Sequence, residues 1–131
     1  MSKPIGEIST AALAYLGDST IELCVREVLV KKGVSSAKNL NAEALRFVKA
    51  EAQAEAVKRI LPLLSDEETA IYKRGRNIGH TNTPKRVAVG QYRMATGLEA
   101  LFGYLHLTGN EHRIKELFAL AYEKEISEIN V

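Results

Sequence analysis

Two acidic side chains stand where a carboxylate must find a partner. Asp18 follows Gly17 inside an apolar helical stretch, and Glu22 comes one turn later on the same face. Glu99 lies in Thr96-Gly97-Leu98-Glu99-Ala100-Leu101-Phe102-Gly103, whose apolar neighbours predict burial. A bare carboxylate is costly there, so it must be paired, hydrogen-bonded or bound to a cation. Gly17, Gly97 and Gly103 each weaken a helix by about 1 kcal/mol relative to alanine. A glycine at such a position commonly permits close approach of backbone or ligand. Gly17 beside Asp18 and Gly97 beside Glu99 would let two helices meet with both carboxylates at one site. Such a pair, completed by waters, can hold magnesium. Alternatively each acid pairs with an arginine in a buried ion pair. Spacing leaves both readings open.

Charge is distributed unevenly. The formal net charge is +2, yet no acid occurs between Glu68 and Glu99. That window holds Lys73, Arg74, Arg76, Lys85, Arg86 and Arg93, six of the 18 basic residues, leaving 12 basic against 16 acidic residues elsewhere. A basic window on an otherwise acidic chain suggests contact with a polyanion, although a solvated charged loop has the same composition. His80, His106 and His112 are too scattered to read as a metal cluster. His106 reads as a core or interface residue, His112 as exposed, and His80 as part of the basic window. Cys24 is alone, which excludes an intrachain disulfide and a cysteine metal cage. In its apolar stretch it reads as a small hydrophobe rather than a nucleophile. The start, MSKPIGEIST, lacks the apolar core of a secretory leader, and no apolar run nears the roughly 20 residues that span a bilayer. A cytoplasmic protein with no membrane contact is the expectation.

The elements that must position these groups read as helices. Thr10 is placed to cap a first helix to about Val30, with Leu13, Leu16, Ile21, Cys24, Val25, Val28 and Leu29 on one face. Asn41 is a plausible cap for a second, with Leu45, Val48, Ala52, Ala56 and Ile60 aligned, ending at Pro62. Ser65 through Glu68 reads as a capping box opening a short third helix through Tyr72. Gly75 to Pro84 reads as a loop. A fourth helix runs from near Val87 to Leu107 and stops at Gly109, and Asn110 caps a last one. The five tyrosines sit at helical spacings that favour core or interface packing over base stacking. No stretch alternates with period two. One all-α domain spanning residues 1–131, of about five to seven helices, is predicted.

Leu16-Gly17-Asp18-Ser19-Thr20-Ile21-Glu22-Leu23, with Val25, Glu27 and Leu29 beyond it, resembles the signature helix of the ribonuclease III family. Thr96 to Leu105, TGLEALFGYL, resembles that family's second acidic helix. Arg74-Gly75-Arg76-Asn77, His80-Thr81, Pro84-Lys85 and Tyr92-Arg93 are similar to hallmarks of its Mini-ribonuclease III subgroup, a catalytic domain without an attached double-stranded-RNA-binding domain. The resemblance covers roughly Ala11 to Leu120. Full-length members carry further acids at the positions of Ala11, Ala14 and Thr96, and the subgroup is similarly reduced.

The resemblance implies a homodimeric endoribonuclease that hydrolyses double-stranded RNA and leaves 5′-phosphate and 3′-hydroxyl ends. Asp18 and Glu99 would be the catalytic pair and the magnesium ligands, with manganese as a substitute ion. Glu22 is a weaker ligand candidate, equally readable as an exposed acid or ion-pair partner. Arg74, Arg76, Asn77, His80, Thr81, Lys85, Arg86 and Arg93 would contact RNA, the two arginines before Asn77 foremost through their forked donors. The dense apolar face of the first helix (Leu16, Leu23, Val25) would suit a dimer interface or the subunit's own core. The implied substrate is large-subunit ribosomal precursor RNA, and no nucleotide cofactor is expected. The competing reading is a catalytically silent double-stranded-RNA-binding or ribosome-associated module on the same fold.

Overall fold

Ser9 opens the first long helix, its hydroxyl accepting from the Ala12 amide at 3.0 Å. That leaves one fewer of the helix's first N–H groups unpaired. The computed structural model describes residues 3–78 and 88–131. Seven α-helices follow one another among these: α1 Thr10–Lys31, α2 Ala37–Val48, α3 Ala50–Ile60, α4 Asp66–Arg76, α5 Val89–Leu107, α6 Glu111–Ala121 and α7 Glu123–Ser127. Short 3-10 turns occupy Ile5–Glu7 and Leu61–Leu63, and the described residues contain no strand. The fold is all-α, as the periodicity predicts.

The helix α5 runs through the middle, packed against α1, α3 and α4. Its buried residues, from Ala95 through Leu98, Leu101 and Phe102 to Leu105, point in nearly every direction, which only a central helix can satisfy. Around it, Ile21, Val25 and Leu29 of α1 meet Val57 and Ile60 of α3 and Leu117 of α6. Phe47, Phe118 and Tyr122 close one end of the core, their ring centroids 5.1–6.3 Å apart.

The capping box at Ser65 is present, with Ser65 Oγ accepting from the Glu68 amide and the Glu68 carboxylate accepting from the Ser65 amide. Gly109 ends α5 at φ +72°, and Asn110 caps α6. Four expectations need correction. The first cap is Ser9 rather than Thr10. The long second helix is two: Ser36 caps α2, and the chain breaks at Lys49, whose ψ of 149° is extended. The break lets Phe47 turn inward while Leu45, assigned to the apolar face, stays 62% exposed. The helix α4 continues through Arg76, because Gly75 is a contact point with α5 rather than the start of a loop. The short α7 has no counterpart in the periodicity.

Candidate active site

Close contact between α1 and α5 brings the two carboxylates together. A methyl group on Gly17 would run into the carbonyl oxygen of Glu99 and lie 2.8 Å from the Gly103 nitrogen. One on Gly103 would meet the Leu13 carbonyl. The two helices therefore cross backbone to backbone at Gly17 and Gly103. Gly97, expected to serve this crossing, faces α4 instead: its added methyl would lie 2.6 Å from the Tyr72 ring, and one on Gly75 would lie 2.8 Å from the Gly97 Cα. Glycines on both sides thus seat α5, Gly17 and Gly103 against α1, Gly75 and Gly97 against α4.

Helical spacing then aligns the site. Ala11, Ala14 and Asp18 share one face of α1, and Tyr92, Thr96 and Glu99 share one face of α5. Together with Tyr15 and Ile78 they line an open cavity of about 420 Å³. The small residues Ala11, Ala14 and Thr96 are those at which the longer members of the resembled family carry acids. No described residue of the lining is basic, and no ion pair among the described residues involves Asp18 or Glu99. The arginine-paired alternative is therefore not what the described residues form.

The electrostatics match this geometry. Glu99 is raised from the ordinary 4.5 to about 8, first by burial, then by the Asp18 charge and its hydrogen bond with Asp18. Below that value Glu99 holds a proton and donates it to Asp18. A Gln53 hydrogen bond acts in the opposite direction by favouring the ionised form. Gln53 went unnoticed in the sequence, although a glutamine at the buried spacing of Gln53, Val57 and Ile60 in an alanine-rich helix is a usable signal.

The remaining candidates divide. Glu22 pairs with Arg26 at 2.9 Å on the surface and does not line the cavity, so it sits as an exposed helix acid. Arg74 and Asn77 are exposed. The Arg76 guanidinium lies 5.9 Å from the Tyr72 ring centroid and donates to Asn77 Oδ1 at 3.2 Å. Ile78 follows directly and lines the cavity, so the basic last turn of α4 borders the carboxylates. Arg93 is exposed on α5. His80, Thr81, Lys85 and Arg86 lie outside the described residues. On α1, Val25 is fully buried in the subunit's core, whereas Leu23 is 64% and Tyr15 85% exposed. His106 is exposed rather than in the core and lines a separate groove between α1 and α6, beside the partly buried Cys24. No helix of the described residues is long and apolar enough to cross a membrane.

Comparison with known proteins points the same way. Residues 11–110 match the ribonuclease III domain family. The chain is 45% identical over 116 residues to a Mini-ribonuclease 3 of Thermoanaerobacter sp. (strain X514), covering 88% of this chain and 82% of that one. It is 39% identical over 119 residues to a Mini-ribonuclease 3 of Streptococcus pneumoniae, covering 89% and 93%. A crystal structure of a Fusobacterium nucleatum protein superposes with a TM-score of 0.81 at 32% identity, over 93% of this chain and 98% of that one. With family match, helical fold and paired carboxylates in agreement, this chain belongs to the Mini-ribonuclease III branch of the ribonuclease III family and is an endoribonuclease.

Proposed function

We propose that the protein cleaves double-stranded RNA with magnesium held between Asp18 and Glu99, acts as a homodimer, and matures large-subunit ribosomal precursor RNA in the cytoplasm. The observation that carries the metal reading is the pair of carboxylates at one open cavity without a basic partner among the described residues. Two like charges so placed repel, and a divalent cation relieves both the repulsion and the burial. Oxygen ligands suit magnesium, which retains several waters, and the alanines leave room for them. Bound there, the ion would polarise the phosphodiester and acidify the attacking water.

The chain's own residues supply the rest. Asp18 and Glu99 would hold the ion from α1 and α5, and Glu99 must shed its proton before both carboxylates can serve as ligands. Attack in line on phosphorus then breaks the bond to the 3′-oxygen, leaving 5′-phosphate and 3′-hydroxyl ends. The last turn of α4 offers Arg74 and Arg76 to the sugar–phosphate backbone, with Asn77 adding polar contacts; the family resemblance assigns RNA contacts to His80, Thr81, Lys85, Arg86 and Arg93 as well. Such contacts read A-form shape and 2′-hydroxyls rather than sequence. Exposed Tyr15 and Leu23 on α1 support pairing with a second copy.

The test incubates purified protein with duplex RNA, with magnesium or manganese and then with a chelator. Cleavage should need the ion and vanish in Asp18→Asn. Binding that persists with no cleavage under any divalent ion would favour the silent RNA-binding module. The Arg74→Ala, Arg76→Ala double variant should bind more weakly and lower the salt slope of binding by about 1–2. A slope equal to wild type would remove these arginines from the RNA interface.

A further inference from the structure

Arg76 ends α4 two residues before Ile78 of the cavity lining, and unlike the exposed Arg74 it is half-buried. Its guanidinium carbon lies 5.9 Å from the centroid of the Tyr72 ring, one turn back on the same helix face. Its Nε donates to Asn77 Oδ1 at 3.2 Å, and no ion pair among the described residues involves it. The ring beneath it is fixed. Tyr72 is 2% exposed within the core cluster that includes Leu98 and Leu101, and a methyl group on Gly97 would lie 2.6 Å from its edge. We propose that Tyr72 is a positioning residue for RNA binding: its buried ring, anchored against α5, holds the Arg76 guanidinium in place and leaves the Nη groups to a backbone phosphate beside the carboxylates.

An aromatic ring suits this task. A long arginine side chain loses rotamer freedom when it grips a phosphate. One already laid against a ring loses less, so the same contact binds more tightly. The ring face attracts a cation, and more strongly where water is excluded. It does so without cancelling the positive charge, as a carboxylate partner would. The Asn77 bond occupies Nε alone, and the remaining N–H groups form the planar fork that matches two phosphate oxygens. The Tyr72 ring also lies against α5 at Gly97, two positions before Glu99. It thereby ties the place of Arg76 to the helix that carries one of the carboxylates. The inference rests on the proposal that Arg76 contacts duplex RNA.

The experiment is a double-mutant cycle read by the dissociation constant for a duplex RNA, measured by fluorescence anisotropy in chelator, with thermal melting of each protein. Wild type, Tyr72→Leu, Arg76→Ala and the double variant are compared. Tyr72→Leu should weaken binding about three- to tenfold on its own and less than about twofold in the Arg76→Ala background. A purely structural effect of the ring would be the same in both backgrounds. Tyr72→Phe, which keeps the ring, should bind within about twofold of wild type. Should Tyr72→Leu fail to fold, Tyr72→Met, flexible enough to fill the space, takes its place with the same expectation. An equal penalty in both backgrounds, or none in either, would overturn the role of Tyr72 and leave the arginine contacts standing. Arg76→Ala that binds duplex RNA as tightly as wild type would overturn both.

Discussion

Replacing Glu99 by glutamine should abolish cleavage and yet stabilise the metal-free protein at high pH. Glu99 is raised from 4.5 to about 8 by burial and by Asp18. A carboxyl group with a raised folded value binds more protons when folded than when unfolded, between those two pH values. Its contribution is therefore fully present below about 4.5 and is lost as pH rises through about 8. At about 1.36 kcal/mol per pH unit, that interval corresponds to no more than about 5 kcal/mol. Water at the cavity mouth screens part of it, leaving about 1–3 kcal/mol. Urea melts in chelator at pH 5, 7 and 9 provide the assay. Wild type should lose stability across the series from this group, whereas Glu99→Gln should escape that loss and exceed wild type by about 1–3 kcal/mol at pH 9. Magnesium at 100 times its dissociation constant should return about 2.7 kcal/mol to wild type and little to the variant. If the difference between the two proteins were the same at pH 5 and pH 9, Glu99 would not be a strained carboxylate.

The glycine crossing predicts that Gly17→Ala costs about 3 kcal/mol, since backbone rather than a flexible side chain blocks the added methyl. Differential scanning calorimetry should show a fall of roughly 10 °C; an unchanged melting temperature would mean the helices can separate freely. A distant ion pair provides a control with the opposite pH sign. Glu68 is held below its ordinary value, chiefly by hydrogen bonds from Arg113, whose Nη2 lies 2.7 Å from Oε1. Arg113→Ala should cost about 2–4 kcal/mol near neutral pH by stranding a buried carboxylate. That penalty should shrink as pH falls below about 4.5 and Glu68 becomes protonated, which urea melts at pH 3 and pH 7 would test.

Local chemistry was legible in the sequence at several helix ends that one residue satisfies, although the caps of α1 and α2 fell on Ser9 and Ser36 rather than Thr10 and Asn41. The Ser65 capping box, the Gly109 stop and the Asn110 cap are of this kind. The break at Lys49 was not, because no glycine or proline marks it; Phe47 before it and Val57 after it are both buried in the core. The site followed the same rule. Asp18 and Glu99 stood out because each is an acid in an apolar helix. Which glycines pair is a three-dimensional fact, and the sequence suggested Gly17 with Gly97 where the structure pairs Gly17 with Gly103. Gln53 was hidden because its partner lies 46 positions away on another helix.

The small residues that line the cavity bear on its chemistry. Longer members of the resembled family place acids where this chain has Ala11, Ala14 and Thr96, and all three border the cavity. Fewer carboxylates mean less mutual repulsion for the fold to bear, but also fewer protein ligands for an ion. The proposed magnesium would tolerate that exchange, because it favours six oxygen ligands and parts from water reluctantly. The waters need space, about 30 Å³ each, and a cavity of about 420 Å³ lined by two alanines supplies it. Filling that space should therefore be as damaging as removing a ligand. Ala14→Leu would project a branched side chain into the hydration volume without touching either carboxylate's charge. It should weaken magnesium dependence at least tenfold while leaving Glu99 raised. Retention of wild-type magnesium affinity in that variant would mean that the cavity's volume has no part in binding the ion.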